Sequence, residues 1–339
     1  METPPYDSPG MPWDSEPTHI YKDISQLDQD LGLISTLELS HPLDYLFPSP
    51  TMAGPAHKPD EVVDKTVSVS SVFFPGAQNA VSDTIFRSSD AVLFYVNSQI
   101  LLRVTDKAFR PILLGHLGNK VFRDNIIDIP DDSAILNIVL HVFYDLSPAK
   151  HSPPFNVLEN AIGRMPVYGL VPSECITPGG TLSALLLSHA PVHGISLYAL
   201  AGLHGLNDLG EKASAHLLSY TLSDLTDDLA RKMGARYLRR LMSLHLTRVE
   251  ELKRIILRPP HPHPPTPECD FVDQKKLSRA WALAASYLAW DSRPDLSAHT
   301  IQSTLSTLGE HLGCEQCKNV LRGRIKEVII HWVNVKRTI

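Results

Sequence analysis

The sequence has few cysteines, no excess of basic residues and no long apolar run. Its 339 residues include only four cysteines, and no charged-then-apolar leader stands at Met1 to Pro5, so a secreted disulfide framework is not expected. Lys and Arg number 31 against 37 Asp and Glu, which argues against general nucleic-acid binding. Apolar runs such as 182–187 and 328–335 are too short to span a bilayer. We therefore expect a soluble intracellular protein of the cytoplasm or nucleus, with neither a nucleic-acid nor a membrane partner.

The motifs of the common enzyme classes are also missing. No Gly-x-Ser-x-Gly elbow, phosphate-binding loop or Gly-x-Gly-x-x-Gly turn occurs in the chain, so hydrolase, nucleotidase and dehydrogenase activities lack their signatures. The acid pairs Asp131-Asp132 and Asp227-Asp228 fall at predicted helix starts, where capping explains them. We expect no catalytic residue and no cofactor.

Composition divides the chain into five segments. The first 65 residues are rich in Pro, Ser, Asp and Thr, which predicts a disordered tail. Val67 to Phe74 alternates Val and Ser, a pattern that predicts a strand at a sheet edge, in this chain or in a second copy. The predicted segments after the tail are a first domain at 66–172, a helical domain at 181–258, a Pro/His-rich connector at 259–269 and a C-terminal helical segment at 270–339.

The first domain reads as a hairpin followed by helices. Two runs rich in β-branched and aromatic residues, 83–87 and 91–96, flank a Ser-Ser-Asp corner, which predicts a β-hairpin. A helical period begins after Val96, and 126–129 supplies another strand. Asp131-Asp132-Ser133 can cap the helix that follows. The expected fold class is α+β, with an all-α region behind it.

The ordered set of elements between Asp83 and Leu170 resembles the BTB (POZ) fold, and the long helical half resembles that of fungal BTB-domain proteins. The resemblance implies a non-enzymatic interaction protein that self-associates as a homodimer or serves as an adaptor, with a cullin ubiquitin ligase as a possible partner. A transcription-linked regulator is an alternative. The implied interface residues are Asp83, Asn97, Leu101 and Phe109. Asn97 stands where many members of the family have His.

The helical half is predicted from apolar spacing. A segment at 235–257 has an apolar stripe, with Arg248 among the charged residues expected on its solvent face. A last helix at 318–335 is expected to point Arg324 outward. The prolines between 258 and 268 exclude a helix there and predict an extended connector.

A metal site is the main rival interpretation. Cys314-Glu-Gln-Cys317 could supply two zinc ligands, with His311 upstream and with Cys269 and His263 earlier in the chain. A second Cys-x-x-Cys pair is missing, so we predict buried or helix-start cysteines and assign no metal. The candidates for a metal-binding helical domain or an enzyme are His311, Cys314 and Cys317.

Overall fold

The computed structural model describes residues 68–77, 81–104 and 126–339. The predicted tail and the predicted interface residue Phe109 lie outside these residues. All described residues belong to one compact unit, which runs from Asp64 to Ile339. The protein is of the α+β class, with a small sheet and many helices.

The sheet is mixed and has the strand order β1-β3-β2-β4. The strands are β1 (Ser68–Val69), β2 (Thr84–Arg87), β3 (Val92–Val96) and β4 (Ile126–Asp128). β2 pairs antiparallel with β3, which confirms the predicted hairpin, while β4 runs parallel to β2 and β1 runs parallel to β3. The corner of the hairpin is closed by the Ser88 hydroxyl, which donates to Asp90 and to the Val92 carbonyl.

In the described residues, seven α-helices accompany and follow the sheet. They are α1 (Ser98–Val104), α2 (Ser133–Phe143), α3 (Phe155–Arg164), α4 (Pro172–Cys175), α5 (Thr181–Ser188), α6 (Ala190–His204) and α7 (Asn207–Ser214). The predicted cap of α2 is confirmed, because Asp132 accepts a hydrogen bond from the Ile135 amide at 2.8 Å. Asp90 adds a second tie, since it accepts from both the amide and the hydroxyl of Ser133.

Four longer or later helices complete the chain. They are α8 (Asp227–Ile256), α9 (Phe271–Trp290), α10 (Ala298–Ser306) and α11 (Glu315–Val333). Thr226 caps α8 and Ser297 caps α10 through side-chain oxygens that accept backbone amides. Near its start α8 is interrupted at Gly234, whose φ of 74° lies in the left-handed region.

The described residues form two apolar cores. The first extends from Phe73 through the sheet to Leu244, and the second begins at Leu252 and includes the buried faces of α9, α10 and α11. The predicted boundary at 172–181 therefore does not divide the core, and the cores change over within α8. Amino-acid composition could not reveal where the first core gives way to the second, because α8 is a continuous helix between Leu244 and Leu252.

Two arginines expected on solvent faces are instead enclosed. Arg248 is 4% exposed, and its guanidinium donates to the carbonyls of Pro294, Val335 and Lys336. Arg324 donates to the carbonyls of Ile255 and Arg258 at the end of α8. The expectation that both side chains point outward is wrong, since carbonyls at helix ends and loops require donors.

None of the helices in the described part of the chain combines the length and apolar character that crossing a bilayer requires.

Candidate metal centre

The connector brings a histidine and a cysteine to the second core. Residues 257–270 contain no helix, as the prolines predict, and His263 is buried within them. Thr266 and Cys269 exchange two backbone hydrogen bonds, of 3.0 and 3.1 Å, around a tight turn. Asp270 then caps α9 by accepting from the amides of Val272 and Asp273. The turn thus fixes Cys269 immediately before α9, where its side chain is 2% exposed.

The Cys-x-x-Cys pair lies at the start of α11. Cys314 is the N-cap residue and Cys317 falls in the first helical turn, a position that directs both sulfurs toward the same side. Unpaired amide donors at a helix start stabilise negative charge. Such an environment suits thiolate ligands.

The ligand atoms of His263, Cys269, Cys314 and Cys317 all lie within 4.8 Å of one another. The Nε2 atom of His263 is 3.4 Å from the Cys314 sulfur and 3.3 Å from the Cys317 sulfur. The sulfurs of Cys269 and Cys317 are 3.7 Å apart. A tetrahedron with Zn–S bonds of about 2.3 Å and a Zn–N bond of about 2.0 Å has S–S edges of about 3.8 Å and S–N edges of about 3.5 Å. The four side chains therefore form a set of soft ligands at the spacing of a tetrahedral metal.

A hydrogen bond on the side of the ring away from the sulfurs orients the imidazole of His263. Its Nδ1 lies 2.6 Å from the Pro264 carbonyl oxygen, which requires the proton on Nδ1 and leaves the Nε2 lone pair directed at the sulfurs. Metal-binding histidines commonly have this second hydrogen bond. Gln274 of α9 is buried beside the ring, with its amide nitrogen 3.4 Å from Nδ1.

The cysteines at this site differ in acidity. Hydrogen bonding from the backbone of Cys317 is the main reason that the pKa of Cys314 falls to about 7. Burial, reinforced by the neighbouring thiols, raises the pKa of Cys317 to about 12. Burial also raises the pKa of Cys269. The thiol at the helix cap is thus the most acidic of the three.

The structure changes the predicted ligand set. Cys314 and Cys317 belong to the cluster, but His311 is exposed and its ring is not among the ligand atoms that meet. His263 and Cys269 complete the set from 45 or more positions away. The sequence indicates both residues as possible additional ligands but does not assign them to the site. The burial-prone Cys269 directly before a helix cap is the signal that could have joined them to it.

The predicted interface residues have local structural roles. Asp83 accepts hydrogen bonds from the amide and the hydroxyl of Ser98, at 2.7 and 2.5 Å. Asn97 caps α1, since its side-chain oxygen accepts from the Gln99 amide at 3.0 Å. Leu101 is completely buried in the first core, and its role at an interface stays a prediction.

Comparison of the chain with protein-family models, curated proteins and solved structures finds no match.

Proposed function

We propose that the chain is a non-enzymatic interaction protein, with a BTB-like module that self-associates and a helical region that engages a partner. The order of elements supports the module: a β2–β3 hairpin leads into α1, and β4 then returns parallel to β2. An Asp at the start of β2 joins α1 through Ser98. This arrangement accords with the resemblance, and the proposed adaptor role includes a cullin as one possible partner.

We place the contact between two copies of the chain at the edge of the sheet formed by β1. The segment from Ser68 to Phe73 runs along β3, and the amide of Ser70 and the carbonyl of Phe73 both bond to β3. β1 has no second neighbour among the described strands. Val69 and Phe74, at this edge, are 42% and 46% exposed. An open edge flanked by exposed apolar side chains is suited to pairing with a second copy of the chain.

A second exposed surface lies on α9 and supports the adaptor role. Leu283, Tyr287 and Trp290 follow one another at helical spacing and are 75%, 65% and 92% exposed. Aromatic and aliphatic side chains that share one exposed helix face are typical of protein contacts. We assign this stripe to a partner protein with an apolar groove that accepts a helix.

Light scattering on the full chain tests self-association. At micromolar concentration we expect twice the 37.6 kDa mass of one chain. A variant with Val69→Asp and Phe74→Asp should give the single-chain mass, because charges oppose apolar pairing at the edge. Both side chains are exposed, so these substitutions leave folding intact. Val192→Asp, at an 82% exposed position on α6, is the matched control and should leave the dimer unchanged.

Other results would redirect or overturn the proposal. A single-chain mass for the unmodified protein contradicts self-association. A dimer that survives the β1 variant but dissociates with Leu283→Ser and Trp290→Ser would place the contact between copies on α9 instead.

A further inference from the structure

We infer that His263, Cys269, Cys314 and Cys317 bind one zinc ion, and that this ion is structural. The inference concerns the helical region and stands independently of the proposed self-association. Three sulfurs and one imidazole nitrogen converge from three separate stretches of the chain, at the edge of the second core to which Cys269 and Cys317 belong. A bound metal accounts for the convergence.

The ligand chemistry selects zinc. Thiolate and imidazole ligands in a tetrahedron are the set that Zn²⁺ occupies in structural sites, whereas Ca²⁺ and Mg²⁺ require oxygen ligands. Three of the six edges between the ligand atoms measure 3.3 to 3.7 Å and none exceeds 4.8 Å, which leaves room for one ion at their centre. The Nδ1 contact with Pro264 holds His263 in the tautomer that coordinates through Nε2.

Four protein ligands close the coordination shell. Catalytic zinc keeps one position for water or substrate, while structural zinc is bound by four side chains. His263, Cys269 and Cys317 are at most 8% exposed, which restricts access by a substrate. The site therefore stabilises the fold and does not activate water.

The ion would join three segments that meet at the second core. His263 lies in the proline-rich connector, Cys269 immediately precedes α9, and the Cys-x-x-Cys pair begins α11. Metal binding would fix the path of the connector and the direction in which α9 leaves it. The exposed stripe that includes Leu283 and Trp290 lies on the same helix, so zinc would also position the proposed partner surface.

Metal analysis of the full chain, purified with reduced thiols and without chelator, tests the site. We expect about one zinc per chain. His263→Ala and Cys317→Ser should each lose most of this zinc. Two matched controls, Cys175→Ser and His311→Ala, should retain it, because both side chains lie outside the cluster.

Cobalt substitution keeps the test decisive if a variant fails to fold. Exchange of the unmodified protein into Co²⁺ should produce the thiolate charge-transfer band and the visible bands of a tetrahedral ion. Absence of zinc together with absence of these bands would overturn the inference. So would retention of zinc by the His263 and Cys317 variants, or stoichiometric iron in place of zinc. A native mass that shows a Cys269–Cys317 disulfide in the reduced preparation would also contradict it.

Discussion

The guanidinium of Arg248 lies 4.2 Å from the centre of the Trp332 ring, so a buried cation on α8 stacks on an aromatic side chain of α11. The same group donates to three backbone carbonyls, two of them in the last residues of the chain. Trp332 in turn donates from its indole nitrogen to the Leu296 carbonyl. One arginine thus joins α8, the loop before α10 and the end of α11.

Replacement of Arg248 should therefore destabilise the helical region. Arg248→Ala removes the donors of three partly buried hydrogen bonds to carbonyls, and we expect the free energy of unfolding to fall by about 2–4 kcal/mol. Arg248→Lys should recover only part of this loss, since an ammonium cannot reproduce the planar fork of donors. Urea unfolding followed by tryptophan fluorescence measures the change.

The control for Arg248 is Arg239→Ala on the same helix. Arg239 is exposed, and we expect a change of about 0.5 kcal/mol or less. Equal effects of the two substitutions would show that the carbonyl contacts of Arg248 contribute little.

Arg248 also illustrates which features the sequence could predict. The hairpin, the cap at Asp132 and the extended connector depend on neighbouring residues, and the sequence predicted each of them. The burial of Arg248 depends on carbonyls 46 or more positions away, which periodicity cannot reveal. The full ligand set could not be predicted for the same reason, since only tertiary packing brings His263 and Cys269 to the Cys-x-x-Cys pair.

Asp83 offers a test of a local role against an interface role. Its carboxylate accepts both donors of Ser98 at the start of α1, so Asp83→Ala should lower the free energy of unfolding by about 1 kcal/mol. Thermal unfolding combined with light scattering measures stability and mass together. An unchanged stability with loss of the dimer would assign Asp83 to the interface instead.

Gly202 lies where α6 packs tightly on α8. A Cβ atom at this position would lie 2.4 Å from the carbonyl oxygen of Met233 and 2.8 Å from its Cα. Backbone atoms cannot move aside as a flexible side chain can. We expect Gly202→Ala to lower the free energy of unfolding by about 1–3 kcal/mol or more.

The same substitution at Gly323 should have the opposite effect. Gly323 lies within α11, and a Cβ there meets nothing within 4 Å. Alanine favours helix, so Gly323→Ala should raise the free energy of unfolding by about 0.5–1 kcal/mol. Denaturant midpoints of the two variants give the comparison, and a stabilised Gly202→Ala protein would contradict the close packing of α6 on α8.

The stability of the protein should also fall in mild acid, and His245 contributes to that fall. The ring is buried, and its Nε2 lies 2.9 Å from the Leu217 carbonyl oxygen, a contact in which Nε2–H donates. Burial lowers the pKa of His245 below its ordinary value of 6.5, although the Leu217 carbonyl and Asp295 partly oppose the shift. The unfolded chain therefore binds the proton more tightly than the folded one.

It follows that the stabilisation from His245 is complete above pH 6.5 and is lost as the pH falls toward the lower folded pKa. His245→Gln keeps a donor for Leu217 but does not titrate. We expect the free energy of unfolding of this variant to depend less steeply on pH between about 7 and 5 than that of the unmodified protein. Urea unfolding at a series of pH values, at constant zinc concentration, measures both slopes. Identical slopes would mean that the His245 ring is protonated in the folded state as easily as in the unfolded chain.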